Sequence, residues 1–443
     1  MSLVEEFRTR IESRQALIGI IGLGYVGLPL ALEFVTSGFR VLGFDIDSSK
    51  VEALSAGRSY IHRIEALSIV QARAHGFRAT SDIAELSECD ALLLCVPTPL
   101  LANHEPDMSY VTSTVEALAP HVCNGQLVVL ESTTWPGTTA ELVVPTLERL
   151  GPARVLRTDD ADDRGVMVAF SPEREDPGNT TTPRRAIPKV LGGFDQRATE
   201  CAAALYSAVF ERTVSMSSPA AAEMTKLLEN IYRGVNIALV NELKQLCLAM
   251  NLDIWEIIDA AATKPFGFQA FYPGPGIGGH CIPVDPFYLT WRAKQFGQQT
   301  RFIELAGEVN EAMPAFVVET TRRALERNHI ALAQAKVLVL GVAYKRDLDD
   351  LRESPALTVI QLFEQAGADV SYNDPFFDKV GTGRKYALER TSTPLDQVSN
   401  FDAVVLTTDH SSYDYAALVE ASKLFIDTRN ATRGIVSDKI IRC

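Results

Sequence analysis

The sequence predicts an α/β protein in which two Rossmann-like, doubly wound domains are joined by a long central helix and a helical dimerisation region. Three observations predict this fold. A strand, a glycine turn, a helix and a strand follow one another near the N-terminus, a helix pattern of about thirty residues begins at Pro219, and strands alternating with helices return after residue 329. We expect domains at residues 1–213, 214–328 and 329–443, because 443 residues suffice for about three domains of roughly 150 residues.

The composition excludes several classes of protein. A net charge of −14 without any basic run argues against nucleic acid as a partner. The seven cysteines and seven histidines show no metal-site spacing, so we expect reduced thiols and no metal. The charged N-terminus lacks the apolar core of a signal peptide, and no apolar run approaches the roughly 18 to 20 residues of a membrane span. We therefore expect a cytoplasmic protein that does not span a membrane.

The first strand and helix are linked by the sequence GLGYVG, which contains Gly22, Gly24 and Gly27. The next strand ends at Asp45. This order is typical of a dinucleotide-binding turn, in which the glycines admit the pyrophosphate and pack the helix, and a carboxylate binds the ribose hydroxyls. Asp45 would repel a 2′-phosphate, so the pattern predicts NAD rather than NADP. The alternative is a glycine turn in some other α/β unit.

Three further apolar strands alternate with helices and lead to Thr98, Thr133 and Glu173. Ligands of open parallel sheets bind at the carboxyl ends of the strands, so these residues lie where a cofactor and a substrate would meet. A turn or cap residue is the alternative interpretation of each. Glu173 is the most informative of them, because a carboxylate at a strand end can position a water molecule.

The helix that begins at Pro219 is apolar on most sides in its middle, which is typical of a helix buried between domains or subunits. Lys226 and Asn230 are spaced so that they share one face of it. They form either a surface stripe or a polar site held in a core. Glu223 and Glu229 are possible pairing partners for Lys226, whereas Asn230 has no such partner.

The stretch 266–286, FGFQAFYPGPGIGGHCIPVDP, is too rich in glycine and proline to be a helix or a strand. Gly278 and Gly279 would let the backbone approach another molecule closely, because they lack a Cβ atom. Cys281 follows them, and Asp285 with the next proline marks a helix start. A thiol just before a helix N-terminus favours the thiolate, and a small buried hydrophobic residue is the alternative.

The second α/β pattern opens with an apolar strand that ends at Lys345. It lacks the three-glycine turn and has Lys345, Arg346 and Arg352 at the mouth of the predicted sheet instead. Basic side chains in this place fit a nucleotide phosphate, and solvated loop charges are the alternative.

Taken together, these segments resemble the nucleotide-sugar 6-dehydrogenase family. The motifs that carry the resemblance extend over nearly the whole chain, and they are GLGYVGLP, ESTTWPGT, SPERE, KLLENIYRGVNIALVNE, GPGIGGHCIPVDP and GVAYKRDLDDLRESPA. The resemblance implies an NAD-binding domain, a long helix that forms a homodimer or a higher oligomer, and a C-terminal domain that binds the UDP of a UDP-sugar.

The resemblance also assigns roles to individual residues. It makes Cys281 the nucleophile and places Lys226, Asn230 and Asp285 around the reacting oxygen and water, with Glu173 and Thr133 as further catalytic candidates. The implied cofactor-binding residues are Gly22, Gly24, Tyr25, Val26, Gly27, Asp45, Pro97, Thr98, Thr133 and Arg352. The implied substrate-binding residues are Glu173, Arg174, Lys226, Asn230, Phe271, Tyr272, Gly276, Gly279 and Lys345.

The reaction implied by the resemblance is oxidation of the C6 hydroxyl of a UDP-sugar to an acid, with two NAD⁺ used in turn. Cys281 would trap the aldehyde as a thiohemiacetal, and a thioester would then be hydrolysed. The segments FGFQAFYPGPG and SPEREDPGN favour UDP-N-acetylglucosamine, with UDP-glucose and UDP-N-acetylmannosamine as alternatives. The rival functions are a two-electron β-hydroxyacid dehydrogenase, which needs neither Cys281 nor the last domain, and a non-catalytic protein that binds NAD or a sugar nucleotide.

Overall fold

The computed structural model describes residues 2–61, 63–101, 103, 105–175, 182–279, 284–382 and 387–443, apart from the side chains of 382, 387 and 388. The chain divides into an N-terminal unit, Met1–Glu229 with Phe287–Gln298, and a C-terminal unit, Asn230–Pro286 with Gln299–Cys443. The chain passes between the units at three points, of which 229/230 and 286/287 lie within helices and 298/299 lies between two helices, and none of them matches a predicted domain boundary. The three domains given above remain predictions.

The N-terminal unit is built on a sheet of eight strands. They are β1 Leu17–Ile21, β2 Arg40–Phe44, β3 Phe77–Thr80, β4 Ala91–Leu94, β5 Leu127–Leu130, β6 Met167–Phe170, β7 Lys189–Gly193 and β8 Thr213–Ser215. Their order is β3-β2-β1-β4-β5-β6-β7-β8, and the strands from β3 to β6 are parallel. Strand β7 is antiparallel to β6, and β8 is parallel to β7. The predicted doubly wound sheet is confirmed for this unit.

Helices cover both faces of this sheet. They are α1 Leu3–Glu12, α2 Gly27–Thr36, α3 Ser48–Ser55, α4 Ala66–Ala74, α5 Ser109–Leu118, α6 Val144–Leu150 and α7 Gln196–Ser207. The strands read as continuous apolar runs because both faces are covered. In β4, for example, Leu93 belongs to one buried hydrophobic cluster and Leu92 and Leu94 to the other.

A helix of 31 residues, α8 Pro219–Ala249, contributes residues to both units. It is followed by α9 Ile254–Ala262, α10 Asp285–Gln295 and α11 Arg301–Arg327. The long helix and the helical region after it are therefore confirmed. Helix α10 begins at Asp285, the predicted cap residue, and thus one residue before the predicted first helical position at Pro286.

The C-terminal unit contains a second parallel sheet of five strands, in the order β10-β9-β13-β14-β15, and a two-stranded hairpin of β11 and β12. The strands are β9 Lys336–Leu340, β10 Asp369–Asn373, β11 Lys379–Thr382, β12 Ala387–Thr391, β13 Ala403–Leu406, β14 Phe425–Asp427 and β15 Ile440–Arg442, and the helices beside them are α12 Pro355–Gln365 and α13 Tyr415–Ala421. The predicted second Rossmann-like sheet is confirmed.

Strand β9 ends at Leu340, well before the predicted end at Lys345. Gly341 turns the chain there with a φ of +81° and donates its N–H to Asn373 O at 2.8 Å. Along β9, Val337 and Val339 belong to one buried cluster, and Leu338 and Leu340 to the other.

Within the described part of the chain, no helix is long and apolar enough to cross a membrane.

Candidate active site

Three glycines shape the turn between β1 and α2 in the N-terminal unit. Gly22 has a φ of +92° and donates its N–H to Phe44 O at 2.8 Å. A Cβ atom on Gly22 would lie 2.6 Å from Cys95 O, and one on Gly27 would collide with Gly22 O. A Cβ atom on Gly24 would meet no atom of the residues that the structure describes within 4 Å. The fold itself therefore requires the first and third glycines, whereas the second faces open space that a pyrophosphate would fill.

The start of α2 is suited to the same anion. Val26 precedes the helix without a side-chain cap, and the first turn of the helix contains no acidic residue. The neighbouring Tyr25 is 40% exposed. Uncapped N–H groups at a helix N-terminus bind phosphate through hydrogen bonds and the helix dipole, so the turn can hold a dinucleotide.

The carboxylate of Asp45 follows β2 and is largely buried. It accepts hydrogen bonds from Leu23 N and Asp47 N, each at 3.0 Å, and Lys50 Nζ lies 3.0 Å from its Oδ2 atom. Ile46 beside it is 98% exposed. Asp45 is thus held at the place where a ribose would bind, and Lys50 and Ile46 are neighbours of that place which the sequence analysis missed. The available signal for these two residues was their closeness to Asp45 in the sequence, one and five residues after it.

The loops after β4 and β5 are tied together. Ser132 donates its hydroxyl to Val96 O at 2.7 Å. This bond fixes the loop of Pro97 and the buried Thr98 relative to the half-buried Thr133. The structure therefore brings these three predicted residues to the same edge of the sheet, at the carboxyl ends of β4 and β5.

Glu173, which follows β6, belongs to a buried ionic network. Lys189 Nζ lies 2.6 Å from Glu131 Oε2 and 3.3 Å from Glu173 Oε2. Tyr206 donates its hydroxyl to the other oxygen of Glu131. Lys189, Glu131 and Glu173 are 3%, 1% and 7% exposed, so these charges are held almost wholly within the protein.

The network keeps Glu173 ionised. Burial raises the pKa of its carboxyl, but the positive charges of Lys189, Arg184 and Lys226 together outweigh burial and hold that pKa below its usual value. Lys189 reaches this place because β7 is antiparallel to β6, so that β7 starts where β6 ends. The sequence analysis missed Lys189, although a lysine opening the apolar run KVLGG was a visible signal.

Lys226 on α8 is half-buried, and the two glutamates proposed as its partners are bonded elsewhere. Glu223 accepts hydrogen bonds from Thr139 N at 2.9 Å and from Thr139 Oγ1 at 2.7 Å. Glu229 pairs with Arg174, whose Nε lies 3.1 Å from its Oε2. Lys226 has no hydrogen-bond or ion-pair partner among the residues that the structure describes. Arg174 also donates to a backbone carbonyl, so several of its N–H groups form hydrogen bonds within the protein.

In the C-terminal unit, Asn230 and Asp285 form a buried pair. Asn230 Nδ2 donates to Asp285 Oδ2 at 2.6 Å, and the two residues are 6% and 2% exposed. The sequence analysis found no partner for Asn230 on its own helix, and the structure shows that its partner is Asp285 at the start of α10. Cys281 lies outside the described residues, so its assignment as the nucleophile rests on the sequence.

The loop that leads toward Cys281 packs tightly against its own unit. Gly276 and Gly279 have φ angles of +130° and +88°. A Cβ atom on Gly278 would lie 2.6 Å from Tyr344 Cβ, and one on Gly279 would lie 2.9 Å from the Tyr344 ring. Gly279 N also donates to Arg352 O at 3.0 Å. Gly278 and Gly279 therefore let the backbone pack closely against Tyr344 of the same unit, and their predicted approach to another molecule stays a prediction.

A polar and aromatic cleft of about 500 Å³ lies in the C-terminal unit. It is lined by Trp255, Asp259, Tyr272, Arg346, Asp409, Tyr415, Arg429, Asn430, Ala431 and Arg433. Asp259 accepts hydrogen bonds from Tyr272 OH and from Arg433 Nη1, each at 2.7 Å. Guanidinium groups beside aromatic rings can bind the phosphates and the base of a nucleotide.

The cleft contains only some of the residues predicted for the substrate. Tyr272 and Arg346 line it, whereas Phe271 packs against a hydrophobic cluster and Lys345 is absent from the described lining. Arg352 is bonded to Asp350, with 2.6 Å between its Nη2 and Oδ2. The sequence analysis missed Arg429, which is contributed by the loop after β14.

The carboxylate at the mouth of the second sheet is bonded internally. Asp374 follows β10 as Asp45 follows β2, but it is only 2% exposed. Its Oδ2 accepts from Val342 N at 2.6 Å and lies 3.1 Å from His410 Nε2. Asp374 is therefore buried more deeply than Asp45, which is 9% exposed, and both carboxylates accept hydrogen bonds from backbone N–H groups. Among the described residues, no group of three or more His, Cys, Asp and Glu side chains could hold a metal ion.

Three family models match successive parts of the chain. The NAD binding domain of the UDP-glucose/GDP-mannose dehydrogenase family matches residues 16–210, its central domain matches residues 220–312, and its UDP binding domain matches residues 338–434.

Individual relatives extend over the same length. The chain is 31% identical to a UDP-N-acetyl-D-mannosamine dehydrogenase from Methanococcus maripaludis, over 93% of this chain and 92% of that protein. It is 34% identical to an NDP-N-acetyl-D-galactosaminuronic acid dehydrogenase from Ralstonia nicotianae, over 93% and 95%. The solved structure of a UDP-D-ManNAc dehydrogenase from Pyrococcus horikoshii matches with a TM-score of 0.81 and 32% identity, over 95% of this chain and 96% of that one.

Proposed function

The chain belongs to the UDP-glucose/GDP-mannose dehydrogenase family, and from this membership we propose that it oxidises the C6 hydroxyl of a UDP-N-acetylhexosamine to a carboxylate through a covalent intermediate on Cys281. It is an NAD-dependent UDP-sugar dehydrogenase of that family. The observation that carries the covalent proposal is the buried Asn230–Asp285 pair, because Asp285 follows Cys281 closely in the chain and the two side chains form a preorganised polar group.

NAD would be held by the N-terminal unit. The open face of Gly24 and the uncapped start of α2 fit its pyrophosphate, and Asp45 fits a ribose. The bound cofactor supplies the acceptor for the hydride that leaves C6. Thr98 and Thr133 lie at the edge of the sheet where the reactive end of such a cofactor binds in Rossmann domains.

UDP would be held by the cleft of the C-terminal unit. The guanidinium groups of Arg346, Arg429 and Arg433 would offset the charge of a diphosphate, and the rings of Tyr272 and Trp255 would pack against the base. This arrangement fits a protein whose net charge is −14, because local cations must hold the phosphates against the overall field. Arg352 and Lys345 remain predicted phosphate ligands.

The chain's own chemistry acts on the aldehyde. The Cys281 sulfur forms a bond to the aldehyde carbon, and the thiol proton goes to the oxygen, which gives a thiohemiacetal. Loss of a second hydride from that carbon and of the proton from its hydroxyl would leave a thioester, with a second NAD⁺ as the hydride acceptor. Water then adds to the thioester carbon, the carbon–sulfur bond breaks, and the carboxylate and the free thiol are released. The covalent bond keeps a reactive aldehyde from escaping between the two oxidations.

Four polar residues support these steps. Lys226 and Asn230 would stabilise negative charge on the reacting oxygen, where one well-placed donor contributes roughly 3 kcal/mol. Glu173 or Asp285 would accept the proton of the attacking water. Glu173 suits this role because its neighbours Lys189 and Lys226 keep it ionised.

The N-acetyl group is the feature of the sugar that the relatives favour. The relatives from Methanococcus and Ralstonia are both named for N-acetylated sugars, and the sugar of the Methanococcus protein is N-acetylmannosamine. We therefore place UDP-N-acetylmannosamine first in a substrate screen. UDP-N-acetylglucosamine, which the sequence favoured, stays a prediction, and UDP-glucose is the third candidate.

The screen measures NADH formed with each of the three UDP-sugars, for the wild type and two cysteine variants. We expect turnover with an N-acetylated sugar, loss of acid formation in Cys281→Ser, and full activity in Cys123→Ser, which replaces an exposed free cysteine as a control. If Cys281→Ser keeps full NADH turnover and neither it nor the wild type forms acid, the two-electron dehydrogenase is favoured instead.

A homodimer formed through α8 completes the proposal. Tyr232, Leu239, Leu243 and Leu246 are 48%, 52%, 37% and 53% exposed, and their spacing places them along one side of the helix. An apolar stripe of this kind is typical of a surface that another chain covers. Leu246→Asp should therefore shift the mass in light scattering to that of a monomer. Leu248→Asp, an exposed leucine on the opposite side, should not, and a monomeric wild type would contradict the proposal.

A further inference from the structure

The backbone of Gly274 is held from three sides within the C-terminal unit. Its N–H donates to Asn241 Oδ1 at 2.9 Å, and Lys244 Nζ donates to its carbonyl oxygen at 3.4 Å. A Cβ atom on Gly274 would lie 2.5 Å from Arg429 Nη1, so the third side is filled by a guanidinium. Asn241 and Lys244 come from α8, and we call these two residues with Gly274 the clamp.

The amide of Asn241 can take only one orientation in this arrangement. Its Nδ2 donates to Asn310 Oδ1 at 2.9 Å, and Asn310 Nδ2 in turn donates to Gly234 O at 3.1 Å. Asn241 is 0% exposed and Asn310 is 9% exposed, so water does not offer alternative partners. Rotating either amide would bring donor against donor or acceptor against acceptor. Asn310 therefore fixes the oxygen of Asn241 toward Gly274.

Lys244 is buried in an apolar place, which is unusual for a lysine. It is 2% exposed, and its Nζ lies 6.0 Å from the centre of the Trp255 ring and 5.8 Å from that of Phe316. No carboxylate of the described residues lies at bonding distance from Nζ, and burial of an unpaired charge costs free energy. Fold stability alone gives no reason for a lysine here, which points to a role in holding the loop.

The clamp connects to the nucleotide cleft at two points. Tyr272, which lines the cleft, is two residues before Gly274, and Arg429, another lining residue, packs against Gly274 itself. Asn241 and Lys244 lie on the side of α8 opposite the exposed stripe of Leu239 and Leu243. The helix thus presents one face for association and the other for holding the loop.

We propose that Asn241, fixed by Asn310, is a positioning residue for the nucleotide: it sets the position of Gly274 so that Tyr272 and Arg429 face one cleft. This inference rests on the proposed function in that the cleft must bind UDP. Removing the Asn241 side chain leaves a buried N–H on Gly274 without an acceptor. The loop would then shift to satisfy it, and Tyr272 and Arg429 would no longer be aligned.

The test is calorimetric titration of the full-length protein with UDP and, separately, with NAD. We expect Asn241→Ala to weaken UDP binding about tenfold, the effect of one lost hydrogen bond in a buried site, with NAD affinity unchanged. Asn236→Ala is the matched control. Asn236 is on the same helix, and within the described part of the chain its side chain bonds only to Tyr232 O. The helix-propensity change is therefore the same, and UDP affinity should stay within about twofold.

The outcomes separate the clamp from the cleft. Folded Asn241→Ala with unchanged UDP affinity would overturn the clamp. Should that variant fail to fold, Asn310→Ala is the second test, because it keeps the Asn241 acceptor but frees the Asn241 amide to rotate. It should weaken UDP binding about threefold. A UDP affinity equal to that of the wild type would overturn the clamp. If Arg429→Ala leaves UDP binding intact, the cleft and the nucleotide part of the proposed function fail together. If Arg429→Ala abolishes binding and Asn241→Ala does not change it, the clamp alone fails.

Discussion

Replacing Lys244 by methionine should change how the stability of the protein depends on pH. Burial lowers the pKa of Lys244 from its ordinary value of 10.5 to about 8; Cys443 and Asp427 oppose this shift, and the positive charge of Arg429 acts in the same direction as burial. The folded state therefore releases this proton near pH 8, whereas the unfolded chain keeps it until about pH 10.5. Between these values the unfolded state binds more protons, so the stability of the wild type rises with pH.

The magnitude follows from the size of the shift. At about 1.36 kcal/mol per pKa unit, the charged lysine costs the folded state about 3 kcal/mol at pH 7 relative to an unshifted one. As the pH rises from 8 to 9.5, the unfolding free energy of the wild type should increase by about 2 kcal/mol relative to that of Lys244→Met. For a unit of this size, this corresponds to an increase of about 4 to 8 °C in the difference between their Tm values. The hydrogen bond to Gly274 O that methionine loses contributes an offset that does not vary with pH in this way.

The assay is the thermal transition of both proteins measured at intervals from pH 7 to pH 9.5. All other ionisable groups are shared, so the difference between the two Tm values reports Lys244 together with its electrostatic coupling to Cys443. Lys264→Met, which replaces an exposed lysine, should give a difference that is flat across this range. A flat difference for Lys244→Met as well would show that the Lys244 ammonium is hydrated, and the description of it as a buried charge would be wrong.

Three further substitutions test other parts of the molecule. Gly24→Ala should keep the fold and weaken NAD binding by an order of magnitude or more, whereas Gly27→Ala should lower Tm because its Cβ would collide with backbone; equal effects on Tm would contradict this division. Asp45→Arg should weaken NAD roughly 10- to 100-fold and reduce the discrimination against NADP in titrations, with Asp45→Asn as the control that keeps an acceptor for Leu23 N, and unchanged NAD affinity would remove Asp45 from the ribose role. Lys226→Ala should lower kcat about a hundredfold with little change in Tm, since no described residue bonds to Lys226, and a collapsed thermal transition would mark it as structural.

The parts of the site that could be predicted from the sequence are local in the chain. Gly22, Gly24 and Gly27 with the carboxylate of Asp45 form one strand–turn–helix–strand unit, so their spacing alone determines their arrangement. The second sheet was predicted for the same reason, from apolar runs separated by helix patterns. The partner side chains of the two carboxylates could not be predicted in this way, since Asp374 lies beside His410 whereas Asp45 lies beside Lys50.

The remaining parts depend on contacts between distant segments. Lys189 reaches Glu173 only because β7 runs antiparallel to β6, and the alternation of apolar strands and helices gave no sign of that reversal. Glu223 and Glu229 were possible partners of Lys226 by helical spacing, yet tertiary contacts with Thr139 and Arg174 take them.

The same limit applies to the cleft. Arg429 follows β14, far in sequence from Tyr272, and no periodicity links the two residues. The nucleotide site was predicted instead from the basic side chains at the mouth of the second sheet. Of these, Arg346 lines the cleft, and Arg352 is bonded to Asp350.

The most direct test of the account is the number of NADH molecules formed per sugar molecule when a UDP-N-acetylhexosamine is supplied in limiting amount. A covalent Cys281 intermediate between two oxidations predicts two NADH and one uronic acid for each sugar consumed, with no free aldehyde trapped by an added amine. One NADH per sugar, with the aldehyde released into solution, would contradict it.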